Sequence, residues 1–240
     1  DTSTRVNGQN GYCHIVCNPL YTAYFTTPAK DRLTVLDVLT NHWPRRFLLN
    51  AEALGYVEAC GLSAVRCRQL RPLSGDMSLD ETTMQAMLEA HLPGLGPQQR
   101  KWILDATAVA AYHAALEFPV VRLLVCDDAP QFTLVTDELA LCWVHEGRHY
   151  KKLVPYIPLH RALVEDFVQR FWTYYDQLLA YREQPTPEKA VWLDGAFEAL
   201  FSTVTGYNAL DERIAKTRAK KACLLMVRAH PEIPLHNNPA

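Results

Sequence analysis

Adjacent carboxylates at the end of an apolar run are the first feature of this chain that could do chemistry. Asp127 and Asp128 follow residues 120–126 (VVRLLVC), and a pair of charges there is costly unless it faces water or binds something. Carboxylate oxygens are hard ligands that suit Mg2+ or Mn2+. Asp1, ahead of the first strand-forming stretch, is a candidate second ligand. Two carboxylates from neighbouring strand ends and a third from a helix make a two-metal clamp: one ion activates the attacking oxygen of a phosphoryl transfer and the other stabilises the leaving oxygen. The plain alternative is a solvated turn leading into Ala129 and Pro130.

His145-Glu146-Gly147-Arg148-His149 fits HExxH, in which two histidines one helical turn apart bind zinc and the glutamate is a general base. Three features oppose a zinc metallopeptidase. Gly147 weakens the helix that the motif needs. Arg148 puts a charge where a metal-binding helix is normally apolar, and residues 139–143 (LALCW) read as a strand running almost into the motif. Glu165 as third ligand is an arbitrary choice. Cys13 and Cys17, if on a strand, share a face about 13 Å apart and cannot hold one ion together. Basic residues gather at Arg66, Arg68 and Arg71, at Arg148, Lys151 and Lys152, and at Arg213, Lys216, Arg218, Lys220 and Lys221. The last group is the best candidate for phosphate contacts, because Arg213, Lys216 and Lys220 share a helical face.

The elements that must position these residues can be read from pattern. Residues 12–17 and 21–27 are rich in strand formers and flank an Asn18-Pro19 break, which predicts an antiparallel hairpin. Residues 1–10 are polar and could end an earlier strand. Residues 31–39 predict a helix, and 47–118 several more, separated by Pro72, Ser74-Gly75 and Pro93-Gly94. Residues 120–126 predict a buried, central strand, its carboxylates emerging at the edge where open α/β sheets bind ligands. Long helices follow over 159–181 and from 188 to 201, with a last one over 211–229.

Composition narrows the class. The chain has 240 residues, 49% apolar and 21% charged, with a formal net charge of −2. That excludes extended disorder and argues neither for nor against a polyanionic partner. The most apolar stretch is broken by His113, Glu117, Pro119 and Arg122, well short of about 20 clean apolar residues for a membrane span. Neither GxGxxG nor GxxxxGK[ST] occurs. Seven scattered cysteines with no CxxC pair are expected to be reduced thiols in a cytoplasmic protein.

Three ordered motifs carry a family resemblance. Leu141-Cys142-Trp143-Val144-His145 resembles the Cys-Trp-x-His signature of bacterial transposases of the insertion sequence 66 type. Pro231-Glu232-Ile233-Pro234-Leu235-His236-Asn237-Asn238-Pro239-Ala240 is similar to that family's segment of a hydrophobic residue, Pro, Asp or His, Asn-Asn-x-Ala-Glu. Asp1-Thr2 resembles its Asp-acidic-Thr opening, and Asp127 falls where the second acidic residue stands. The resemblance covers about the first 40 residues and everything from about 120 onward; residues 47–118 match nothing in it.

The resemblance implies an α/β fold with an RNase H-like core, a mixed sheet flanked by helices, carrying helical insertions. The expected layout is core over 1–40 and 119–154, insertions over 41–118 and 155–205, and a last helix with the truncated end of the core over 206–240. It implies DDE chemistry: Mg2+- or Mn2+-dependent DNA cleavage and strand transfer, with Asp1 and Asp127 as catalytic metal ligands. The implied partners are transposon ends and target DNA, contacted by Arg148, Lys151, Lys152, Arg213, Lys216 and Lys220, with a homo-oligomer on DNA and no membrane. Asp1 maps to the first Asp or to the acidic residue after it. The family's Glu would follow Ala240, so the 240 residues are expected to be an excerpt that does not complete strand transfer. His145 and His149 are then expected near the active site or DNA, not on zinc. A non-catalytic DNA-binding remnant is the remaining alternative.

Overall fold

Strand formers open the chain. In this computed structural model, which describes residues 2–6 and 8–237, β1 (Thr2–Val6), β2 (Gln9–Cys17) and β3 (Thr22–Thr27) form an antiparallel sheet in that order, with Arg5 opposite Asn10 and Ile15 opposite Tyr24. Asn18 closes the expected hairpin, its Oδ1 accepting the Leu20 and Tyr21 N–H groups at 2.8 and 3.0 Å. An Asx turn of this kind holds a chain reversal without help from the sheet.

Five helices complete the first unit, which comprises the described residues up to 121 together with 130–136. They are α1 (Arg32–Leu39), α2 (Ala51–Ala59), α3 (Ala64–Leu70), α4 (Glu81–His91) and α5 (Pro97–Ala114). Side-chain caps start the first four: Asp31, Asn50, Ser63 and Asp80 each accept an N–H of the opening turn. The fully buried Phe47, Val57, Leu70, Met84, Leu88, Ile103 and Val109 form the core. Asp105 is buried on α5 and is matched by Arg32 at 3.0 Å and Lys101 at 3.0 Å. His113 joins Glu52 (2.6 Å) to the Val135 carbonyl (2.9 Å), fastening 130–136 to this unit.

The second unit holds 122–129 and the described residues from 137 onward. Strands β4 (Leu123–Cys126) and β5 (Glu138–Leu141) pair in parallel. Around them lie α6 (Trp143–Lys151), α7 (Pro158–Glu183), α8 (Pro187–Phe201), α9 (Asn208–Arg218) and the short α10 (Lys221–Leu224). Its core is aromatic: Trp143, Tyr150, Phe167, Phe171, Phe197 and Phe201 are fully buried. None of the described helices is long and apolar enough to cross a membrane, and all seven cysteines are free thiols.

Three expectations are corrected. Among the described residues the strands form one antiparallel and one parallel sheet, and no mixed sheet of an RNase H-like core is present. Among the described residues β4 pairs with β5 alone, at the edge rather than the centre of a sheet, and within β4 only Cys126 is buried. A continuous apolar run marks hydrophobicity but does not count neighbours. The last helix breaks at 219–220, where the Lys220 N–H turns back to the Thr217 carbonyl at 3.0 Å.

Candidate functional site

Three distant segments of the second unit meet at the start of α6. The Cys142 N–H donates to the Cys126 carbonyl at 2.8 Å, prolonging the β4–β5 ladder by one bond. Cys142 then caps α6, its Sγ accepting the His145 N–H at 3.4 Å. The Trp143 N–H, one of the donors a helix leaves without an internal partner, is taken by the Leu235 carbonyl at 2.9 Å. The indole N–H of Trp143 donates to the Leu224 carbonyl at 2.9 Å. Residues 235–237 are thereby folded back beside His145.

Asp127 leaves the end of β4 and its Oδ1 accepts the Ala129 N–H at 3.2 Å. His145 stands near Asp127 and beside Asn237. Burial, then the Arg148 charge, lowers the pKa of the His145 imidazole; Arg148 donates to its Nε2 at 3.2 Å. The buried His145 Nδ1, His236 Nδ1 and Asn237 Oδ1 have no hydrogen-bond partner of good geometry among the described residues. Buried polar atoms are usually satisfied, and here the His145 ring and the Asn237 side chain face each other.

Behind His145, on the inner face of α6, Glu146 is a buried hub. Its carboxylate is paired with the Arg213 guanidinium, accepts the Thr217 hydroxyl at 2.5 Å and meets Lys220 Nζ at 3.0 Å. Tyr150 in turn bonds Thr217 at 2.6 Å. Burial alone would push the Glu146 carboxyl up; Thr217, Arg213 and Lys220 outweigh it and hold the carboxyl below its ordinary value. Lys220 also reaches Asp128 Oδ2 at 2.5 Å.

Residues 145–149 are helical, against the expectation that Gly147 and the preceding strand would prevent it. Gly147 has a packing reason. A Cβ there would lie 2.6 Å from Trp172 Cζ2 and 3.0 Å from Phe171 Cε1, so α6 and α7 approach too closely for a side chain. Gly147→Ala gains up to about 1 kcal/mol of helix propensity but overpacks the contact by about 1–3 kcal/mol. A net loss of up to about 2 kcal/mol in urea unfolding is expected; a raised midpoint would mean that the helices separate freely.

The HExxH reading requires a glutamate free to take a proton from water, and Glu146 is already committed to two cations and a hydroxyl. Among the described residues no group of three His, Cys, Asp or Glu side chains is placed to hold a metal. Asp1, expected as a catalytic ligand, lies outside the described residues, so Asp127 is the one implied metal ligand whose position is defined. The described residues therefore do not by themselves fit a divalent metal centre. Of the expected DNA contacts, Arg148, Lys151, Lys152 and Lys216 are exposed, with Lys151 over the Trp172 ring at 5.6 Å. Arg213 and Lys220 are not free cations: they are turned inward to Glu146. Helical spacing identified their face but could not show a carboxylate behind it.

His149 also has its pKa lowered, by burial first and then by Arg213. The folded state thus prefers both His145 and His149 neutral. The stability they contribute is full above the free value of 6.5 and is lost as pH falls below it toward the folded values. Urea midpoints measured downward from pH 7 should decline, and His145→Gln with His149→Gln should flatten that decline; equal slopes in both proteins would contradict it.

Comparison with known proteins adds one relative. Over 221 residues the chain is 29% identical to uncharacterized protein y4jO of Sinorhizobium fredii, a match covering 91% of this chain and 67% of that protein. The part of this chain left unmatched is much shorter than 47–118, so most of that helical stretch is shared with the relative. No family model matches the chain, and no solved structure matches it.

Proposed function

We propose that this chain is the catalytic core of a bacterial DDE-type transposase of the insertion sequence 66 kind, acting in the cytoplasm on transposon ends and target DNA. One observation carries the reading. Two of the three motif segments, Cys142-Trp143-Val144-His145 and Leu235-His236-Asn237, lie far apart in sequence and come together with the segment ending at Asp127 at the N-terminus of α6. Motifs that resemble a family by sequence alone need not converge.

Asp127 is the catalytic carboxylate that this reading assigns among the described residues. Arg148, Lys151, Lys152 and Lys216 are its phosphate contacts, and a homo-oligomer on DNA is its working form.

The test uses the protein expressed from its complete reading frame and a duplex carrying its element's ends. Mg2+- or Mn2+-dependent cleavage is expected, reduced at least about a hundredfold by Asp127→Asn, since even outer-shell partners of a metal site cost up to that much. Cleavage indifferent to Asp127→Asn would overturn the assignment. Salt-sensitive DNA binding with no cleavage in any form would indicate a non-catalytic remnant.

A further inference from the structure

We propose that Glu146 is a positioning residue for the acidic turn after β4, acting through Lys220 on Asp128. The inference rests on the transposase reading only for its meaning, not for its geometry. Glu146 is 3% exposed, and Arg213 and Lys220, at 14% and 18%, bring two positive charges to its one negative charge. A buried cluster with an uncompensated charge is strongly unfavourable. Asp128, 2.5 Å from Lys220, is the group that balances it. The cluster is electrically complete only when the turn after β4 is included.

The backbone is arranged for this link. α9 ends at Arg218, and the turn at 219–220 places the Lys220 ammonium between Glu146 and Asp128. Thr217 and Tyr150 hold the Glu146 carboxylate from the other side. Asp128 is half-exposed and would otherwise be free to move with its neighbours. Pinning it fixes the residue next to Asp127 and occupies its carboxylate. Of two adjacent aspartates, Asp127 is left to act and Asp128 is held as an anchor. A cluster that merely fastens α6 to α9 would not need Asp128.

The test reads backbone order in the 240-residue chain by NMR relaxation and needs neither DNA nor metal. In the wild type, amides 127–129 are expected at order parameters of about 0.85, falling below about 0.6 in Glu146→Gln and in Lys220→Met. Lys220→Arg should restore them, because it keeps the charge. Amides in β4 and β5 should stay rigid throughout. If Glu146→Gln does not fold, Asp128→Asn, at a half-exposed position, must produce the same loosening of the turn. Order parameters at 127–129 that stay high in folded Glu146→Gln, or in both folded Lys220→Met and folded Asp128→Asn, would overturn the proposal. So would a uniform fall across the second unit. Failure of DNA cleavage in the complete protein would instead remove the transposase reading and leave this positioning result standing.

Discussion

Trp143→Ala is expected to cost about 3–5 kcal/mol, the range for emptying a buried aromatic site. Trp143 is fully buried and stands at the centre of the aromatic core, its ring centroid 5.5 Å from those of Phe171 and Tyr174 and 6.4 Å from those of Phe197 and Phe201. It therefore touches α7 and α8 at once. Its indole N–H serves the Leu224 carbonyl, which the mutation leaves without that donor. Against a typical domain stability of about 5–15 kcal/mol, the loss is a large fraction. Urea unfolding followed by near-ultraviolet circular dichroism measures it directly. A loss below about 1 kcal/mol would mean that the aromatic cluster is not what holds this unit together. Trp143→Phe should fall in between, since it keeps much of the ring volume but not the N–H.

Removing the Glu146 carboxylate should be comparably severe. Glu146→Ala takes the buried carboxylate from Arg213 and leaves Lys220 with Asp128 only, and breaking a buried pair in this way costs about 3–5 kcal/mol. Acid should act through the same group. The folded carboxyl titrates below the free value of 4.5, so its stabilisation is complete above that value and is lost as pH falls through the folded value. Wild-type stability should therefore drop steeply at the acid end of the carboxylate range. In Glu146→Gln, already less stable at neutral pH, that part of the curve should be shallower. Parallel acid limbs in the two proteins would show that other carboxylates govern acid unfolding.

Local features were legible where one residue type dictates one geometry. The Asn18-Pro19 break and the strand formers on either side predict the β2–β3 hairpin, which is present. Asp31 announces the start of α1 and caps it. The helical texture of 47–118 is also present. What sequence could not supply was the environment. Gly147 reads as a helix breaker because propensity is a local quantity, while its actual cause, the approach of Trp172, lies on another helix. Arg213 and Lys220 read as a phosphate-binding face because spacing along a helix says nothing of what sits opposite. Their partner Glu146 is 67 and 74 residues away. The HExxH match pointed to the right residue for the wrong reason: Glu146 matters as a charge hub. His236 and Asn237 entered through the family resemblance, and no property of their own spacing would have placed them beside His145.

The bond from the Trp143 N–H to the Leu235 carbonyl also has a consequence for biosynthesis. Ribosomes deliver a chain from its N-terminus at roughly 5–20 residues per second, so about 5–20 s separate the appearance of Trp143 from that of Leu235. During that interval the aromatic residues of α7 and α8 can already collapse around Trp143, but the helix start remains unlatched. The nascent chain thus acquires its core before its motif junction. The strap that closes the candidate site is made after the aromatic core it latches onto.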